Sequence, residues 1–390
     1  MITGKTILLI SQQDWGKIHL SKHNYAIELA QNGNQVYFVC PPRNNLSQKV
    51  QIDPVAEYPG LFRLQYQRFF PLRLRDISYG LYRWLIGMQA QRIAKALPQP
   101  PDIVWSFEFA IFPDLGAFGA PLKVFHPVDP VHFPRQIAFG HSADIIFSIS
   151  DKVLASFDGM QAPRYFINHG LSKGFAQPAQ RRLDNEDYGR KPGPVRVGYV
   201  GNLIRAAMDR EIFLRIIRQH PGVEFHIWGP TGLDGHNLSG LTTPETRAFI
   251  EELQALPQAL LHGTVPSAEL GEKIQDMDMF LLTYKFEKGA SDRSNSHKLL
   301  EYISTGRTVV CSRIDTYVDK RHLLQMPVED HDENLPELFA QTLAHLDRHN
   351  AADKQKARIE YALSQTYGQQ LEKISQLLQA MMAEPSVMQL

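Results

Sequence analysis

Cysteine is scarce: Cys40 and Cys311 are the only two in 390 residues. Two cysteines cannot supply a four-ligand metal site, and such sparse use suits a reducing cytosol. Each follows an apolar run, VYFV before Cys40 and TVV before Cys311, so both read as small half-buried hydrophobes. Nowhere do about 18 apolar residues run together, so no spanning helix is expected. The opening MITGKTILLI is too short an apolar run for a secretory signal and lacks its small-residue cleavage site. An excess of one charge is also missing. The 41 basic and 41 acidic residues balance, which removes the global field expected of a nucleic-acid partner. The expected location is cytoplasmic, with a peripheral position at the inner face of a membrane left open.

Several catalytic signatures are absent as well. A dinucleotide enzyme places G-x-G-x-x-G between its first strand and helix, but Ser11 to Gly16 holds one glycine. No G-x-x-x-x-G-K-[ST] occurs either. No His/Asp cluster has metal-ligand spacing; Asp276-Met277-Asp278 stands alone on the run-up to a strand. No metal or other cofactor is therefore expected.

What is present is a long α/β alternation. Thr6 to Ile10 reads as a strand buried on both faces, His23 to Gln31 as a helix, and Gln35 to Cys40 as the next strand. Strand, helix, Gly33-Asn34 turn and strand make a βαβ unit with a parallel sheet. Further strands are expected at Asp102–Phe107, Leu122–Phe125, Asp144–Ser148 and Arg164–Ile167. Ser172 to Pro194 is rich in Gln, Arg, Asp, Gly and Pro and reads as a linker. A second series follows, with strands at Val195–Val200, Val223–Trp228, Leu260–His262, Met279–Leu282 and Thr308–Cys311. The last stretch, from Leu335 to Met382, has helical period only. The expected domains are 1–171, 195–345 after a 172–194 linker, and 346–390 as helices packing back toward the first domain.

One segment carries an unusual charge. Ser296-His297-Lys298 opens a helix whose apolar positions are Leu299, Leu300 and Ile303. Lys298 puts a positive charge at the positive end of that helix, a mismatch that a bound phosphate resolves. Glu301 lies one turn on, on the same face, where a carboxylate can accept from ribose hydroxyls. A capped helix with a solvated Lys/Glu pair is the alternative.

The run KLLEYISTGRTVV, from Lys298 to Val310, resembles the donor-site signature of GT-B glycosyltransferases. VRVGYVGNL with Met208-Asp209-Arg210-Glu211, VEFHIWGP and LHGTVPSAEL resemble, in order, the strands and loops of the donor domain in glycosyltransferase family four. The resemblance implies two Rossmann-like domains facing across a cleft, an acceptor domain first and a donor domain second. It implies a nucleoside-diphosphate sugar (UDP or GDP) as co-substrate and a surface-polysaccharide or lipid-linked saccharide as acceptor. Lys298 then neutralises the diphosphate, and Glu301 holds the ribose. Gly201 lets backbone approach the diphosphate, Asn202, Gly229, Ser296 and His297 are further donor-binding residues, and Arg205 is a second phosphate contact or a solvated loop arginine. In the first domain VFHPVD resembles the turn whose histidine touches the donor sugar, which implies a role for His126 or else a structural histidine. Asp129 and Asp14 are candidates for the base of an inverting reaction. Asn168-His169-Gly170 resembles a structural turn.

Family-four retaining enzymes pair two glutamates with seven residues between them; counting back from Glu301, Arg293 stands there. The departure points to a divergent, teichuronic-acid-type subgroup. It also keeps two alternatives open: a non-catalytic scaffold of polysaccharide assembly, and a sugar-nucleotide epimerase of the same fold. Finally, residues 62–97 hold seven basic residues, interleaved with aromatics, against the single acid Asp76. That stretch suits an anionic membrane surface, or an ordinary amphipathic helix with a solvated basic face.

Overall fold

The computed structural model describes residues 1–16, 19–131, 133–231, 243–286, 293–329 and 331–383. Contacts divide the chain into two compact units. One is Met1–Asn168 together with the residues from Tyr367 on; the other is His169–Thr366.

The first unit is built on an eight-stranded sheet ordered β3-β4-β2-β1-β5-β6-β7-β8. The strands are β1 (Thr6–Ile10), β2 (Gln35–Val39), β3 (Val50–Pro54), β4 (Leu61–Tyr66), β5 (Ile103–Ser106), β6 (Leu122–Phe125), β7 (Ile145–Ser148) and β8 (Arg164–Phe166). All neighbours pair in parallel except β3 with β4, which is antiparallel. β1 is buried along its whole length, as its unbroken apolar run requires. Helices α1 (Ser21–Gln31), α2 (Leu74–Ile77), α3 (Tyr79–Lys95) and α4 (Pro134–Ile137) connect the strands. The hydrophobic pattern did not announce β3 and β4. β3 alternates apolar and polar residues for only four positions, is half-buried, ends in a proline and lies on the sheet edge, so its signal is short and weak.

The second unit has a five-stranded, all-parallel sheet ordered β11-β10-β9-β12-β13. Its strands are β9 (Val195–Val200), β10 (Val223–Trp228), β11 (Ala259–Gly263), β12 (Met279–Leu282) and β13 (Thr308–Cys311). The stretch 172–194, expected to be a linker, begins instead with a packed helix, α5 (Lys173–Asp184). Phe175, Pro178, Ala179 and Arg182 are its buried residues. Its apolar stripe is thin, and a charged side chain completes the packing: Arg182 donates to the Asp187, Gln275 and Thr305 carbonyls at 2.8, 3.1 and 2.9 Å. Polar composition therefore hid a helix anchored by a buried guanidinium.

Helices α6 (Arg210–Gln219), α7 (His297–Ile303) and α8 (Ala352–Leu363) belong to the same unit. Arg358 of α8 is buried and donates to the carbonyls of Leu323, Gly306 and His349 at 2.8, 3.0 and 2.8 Å. Of the expected terminal helices, α8 thus stays with the second unit, and α9 (Tyr367–Ala383) returns to the first. There Leu371, Ile374 and Leu378 enter the core beside α1, and the Tyr367 hydroxyl lies 3.1 Å from Ser21 Oγ.

In doubly wound sheets ligands bind at the carboxyl edge where the strand order reverses. That reversal falls between β1 and β5 in the first unit and between β9 and β12 in the second.

Candidate functional site

At the reversal in the second unit, a tyrosine fixes α7 against the sheet. The Tyr302 hydroxyl accepts from the Val200 N–H at 2.7 Å and donates to the Val200 carbonyl at 3.0 Å. Its ring stacks on Phe280 with centroids 4.5 Å apart. The end of β9 is thereby tied to the helix that carries Lys298 and Glu301. Ser296, the residue before the helix, is buried and shares a 3.0 Å hydrogen bond with the Tyr284 hydroxyl rather than capping the helix. Lys298 Nζ lies 5.4 Å from the Tyr199 ring centroid and 5.6 Å from that of Tyr284, a cation held between two π faces.

Backbone fills the space where side chains would obstruct. A Cβ on Gly201 would run into Lys298 Nζ and the Tyr199 hydroxyl. Gly229 has φ +146°, and a Cβ there would overlap the Gly201 carbonyl. Gly201 N–H donates to the Trp228 carbonyl and Gly229 N–H to the Gly263 carbonyl, both at 2.8 Å. The ends of β9, β10 and β11 therefore close as one layer of glycine backbone beneath the lysine. Asn202 Oδ1 accepts from the Ile204 N–H at 3.0 Å and shapes the turn leaving that layer.

The electrostatics are cationic with one exception. Burial pushes His169 down to a pKa of about 4, so its ring is neutral at pH 7. His297 packs edge-on against it, centroids 5.6 Å apart. Crowding by protein, then His169, Lys298 and Arg205, pushes His297 below the ordinary histidine range. The structure thus brings Arg205 to the same place as Lys298 and His297, and adds His169, which the sequence offered only as part of a turn. Glu301 is the exception. Desolvation raises its pKa to about 7, against the opposing pull of Lys298. Such a set can hold an anion beside a polyhydroxylated group.

Arg293, in the position of the missing glutamate, is buried and bound to Asp332 at 2.6 Å. Its charge is already matched within the protein. Among the described residues no group of three or more His, Cys, Asp or Glu could hold a metal ion. Asp278 is buried, accepts the Arg196 N–H at 2.9 Å and pairs with Arg190 and Arg196.

The first unit places its candidates differently. His126 is buried among Phe107, Tyr25, Phe147 and Trp105, the nearest ring being Phe107 at 4.7 Å. Asp129 is exposed. Asp14 pairs with Arg43 at 2.8 Å, which commits one carboxylate oxygen. Two residues that no motif pointed to stand at the reversal itself. Glu108, after β5, is buried, and its carboxylate accepts from the N–H groups of Ala110, Ile111 and Phe112. Desolvation still lifts its pKa to about 7. Lys22, in the first turn of α1, is also buried, and desolvation lowers its pKa to about 8 although Asp129 and Glu108 pull it upward. Among the described residues no hydrogen bond or ion pair reaches the Lys22 ammonium.

No family model and no curated protein matches the chain in sequence. Solved structures match it over nearly its full length at the level of fold. An α,α-trehalose-6-phosphate synthase from Burkholderia multivorans has TM-score 0.66 and 13% identity, covering 99% of this chain and 98% of its own. Sucrose-phosphate synthase from Thermosynechococcus elongatus has TM-score 0.67 and 14% identity, covering 98% and 100%. HepE from Anabaena, solved in complex with UDP and glucose, has TM-score 0.64 and 11% identity, covering 96% and 100%. The chain has the fold of these GT-B glycosyltransferases.

Proposed function

We propose that the protein is a glycosyltransferase that moves a sugar from a UDP- or GDP-sugar to a hydroxyl of a surface-polysaccharide or lipid-linked saccharide acceptor. The observation that carries this reading is the convergence of Gly201, Gly229, Lys298 and Glu301 at the strand reversal of the second unit. In it Lys298, with Arg205, offsets the diphosphate charge, and the Gly201–Gly229 layer lets backbone approach it. Glu301 accepts from the ribose hydroxyls, and Asn202, Ser296 and His297 shape the rim. No metal is called for, because fixed cations and backbone N–H groups do that work. In the transfer, the acceptor oxygen bonds to the anomeric carbon while the bond to the diphosphate oxygen breaks, and the nucleoside diphosphate leaves. The hydroxyl proton passes to a carboxylate base, for which Asp129, exposed, and Asp14, whose charge Arg43 already matches, are the candidates. His126, walled by aromatic rings, is the candidate for the histidine that touches the donor sugar. The resemblance to family four, in a teichuronic-acid-type subgroup, and a peripheral position at the inner face of a membrane belong to the same reading.

Replacing Glu301 with Ala removes a carboxylate worth about 1.5–3 kcal/mol in hydrogen bonds, or roughly ten- to a hundredfold in affinity for UDP or GDP. Isothermal titration measures this; unchanged affinity for both nucleotides would sink the assignment. A second reading, a non-catalytic scaffold of polysaccharide assembly, draws on Arg293, which is locked to Asp332 where a retaining enzyme keeps a glutamate. Release of free sugar or transfer to an acceptor in vitro eliminates it.

A further inference from the structure

The face around α2, the start of α3 and the turn before α4 carries apolar side chains that no core receives. Among the described residues ten large hydrophobic side chains are exposed, and five belong here: Phe69, Ile77, Leu81, Trp84 and Phe133. Ile77, Trp84 and Phe133 are the most open of the five, at 73%, 63% and 64% of full exposure. The core-facing side of α3 is already supplied by Tyr82, Ile86, Ala90 and Ile93. Leu81 and Trp84 are therefore surplus to the fold, and a surplus concentrated in one patch marks an interaction surface.

The patch is a held surface. The Arg92 guanidinium sits 4.0 Å over the Phe69 ring, and Phe69 packs edge-on against Phe70, which meets Tyr82. The Arg135 guanidinium lies 4.9 Å from the Tyr79 ring and donates to the Arg75 carbonyl at 3.4 Å, tying the segment after Phe133 to α2. Its charge is mainly positive, although exposed Asp114 lies beside Arg83 and Trp84. Arg73, Arg75, Arg83, Arg92, Lys95 and Arg135 surround the apolar residues, and the one acid in the stretch, Asp76, is shared between Arg75 at 3.6 Å and Arg135 at 3.9 Å.

We propose that this face docks on a bilayer containing anionic lipids, with Ile77, Leu81, Trp84 and Phe133 entering the headgroup boundary and the arginines meeting lipid phosphates. Exposed Trp and Phe beside long basic side chains have the amphipathic form that a membrane interface selects. Net positive charge around the apolar ridge is the complement of an anionic leaflet. A protein partner of matched charge would need acidic groups and an apolar socket together, whereas a bilayer offers both without a fitted surface. The proposal deepens the peripheral-membrane part of the functional reading. Docking does not require sugar transfer, so it can fail while donor binding stands.

The test is co-sedimentation of the full chain with sucrose-loaded vesicles, either phosphatidylcholine alone or with about a third phosphatidylglycerol. Binding to the anionic vesicles should be at least about tenfold tighter and should weaken as salt shortens the Debye length. Leu81→Ser with Trp84→Ser, and separately Arg83→Glu, should each cut that binding about tenfold or more. Both variants change exposed residues, so melting temperature and UDP affinity should hold. Absence of binding to anionic vesicles, or binding that the variants leave intact, overturns the proposal. So does a dimer that the variants abolish in a chain that ignores vesicles.

Discussion

Each unit places a lysine in the first turn of a helix and a glutamate with pKa near 7 at its strand reversal, but the two settings differ. In the second unit, Lys298 and Glu301 share one turn of α7 above a floor of glycine backbone. In the first, Lys22 and Glu108 come from separate connections, after β1 and after β5, and Glu108 is consumed by three backbone N–H groups. On the proposed reading, a site that admits a bulky phosphate gives up side chains to make room, and Gly201 and Gly229 do so in the second unit. The first keeps Lys22 and Glu108 buried.

The largest expected effect tests the glycine floor. Gly229→Ala forces a Cβ onto the Gly201 carbonyl at φ +146° and should cost roughly 3 kcal/mol or more in urea unfolding. Gly16→Ala, in the turn after β1, meets nothing within 4 Å and should stay within about 1 kcal/mol of wild type. Equal losses would erase the contrast between the two turns. Next in size, Lys298→Met should weaken UDP binding about ten- to a hundredfold, while Lys22→Met leaves it unchanged. Equal weakening by both would put the first reversal inside the nucleotide site.

The smallest effect concerns pH. In the proposed role Glu301 must be ionised to accept from ribose, and its folded pKa is about 7. Affinity for UDP-glucose should therefore rise with pH up to about 7 and level off above it, changing at most tenfold per unit below. In Glu301→Gln the slope should vanish; a slope that survives assigns the titration to another group. Titration calorimetry across neutral pH reads both.

The same contrast explains what was legible in the sequence. Lys298 and Glu301, which the proposal places at the donor, lie in one contiguous run, and Gly201 and Gly229 directly follow strands β9 and β10, which alternation announces. Lys22 and Glu108 meet only through the pairing of β1 with β5, and nothing in either local segment marks the encounter. β1 and β13 are visible because strands buried on both faces demand near-continuous apolar runs. Half-buried β3 is not, and α5 was mistaken for a linker because a buried arginine does the packing of an apolar residue. Sequence patterns report apolar burial well and polar burial poorly.

The return of α9 to the first unit has a consequence for how the protein is made. Residues 1–168 leave the ribosome first, yet the wall that Leu371, Ile374 and Leu378 supply is translated only after the whole second unit. The later unit can close its core while the earlier one still waits with an open face beside α1. Birth order and completion order are thus reversed, and a chaperone that shields nascent chains has the older half to guard the longest.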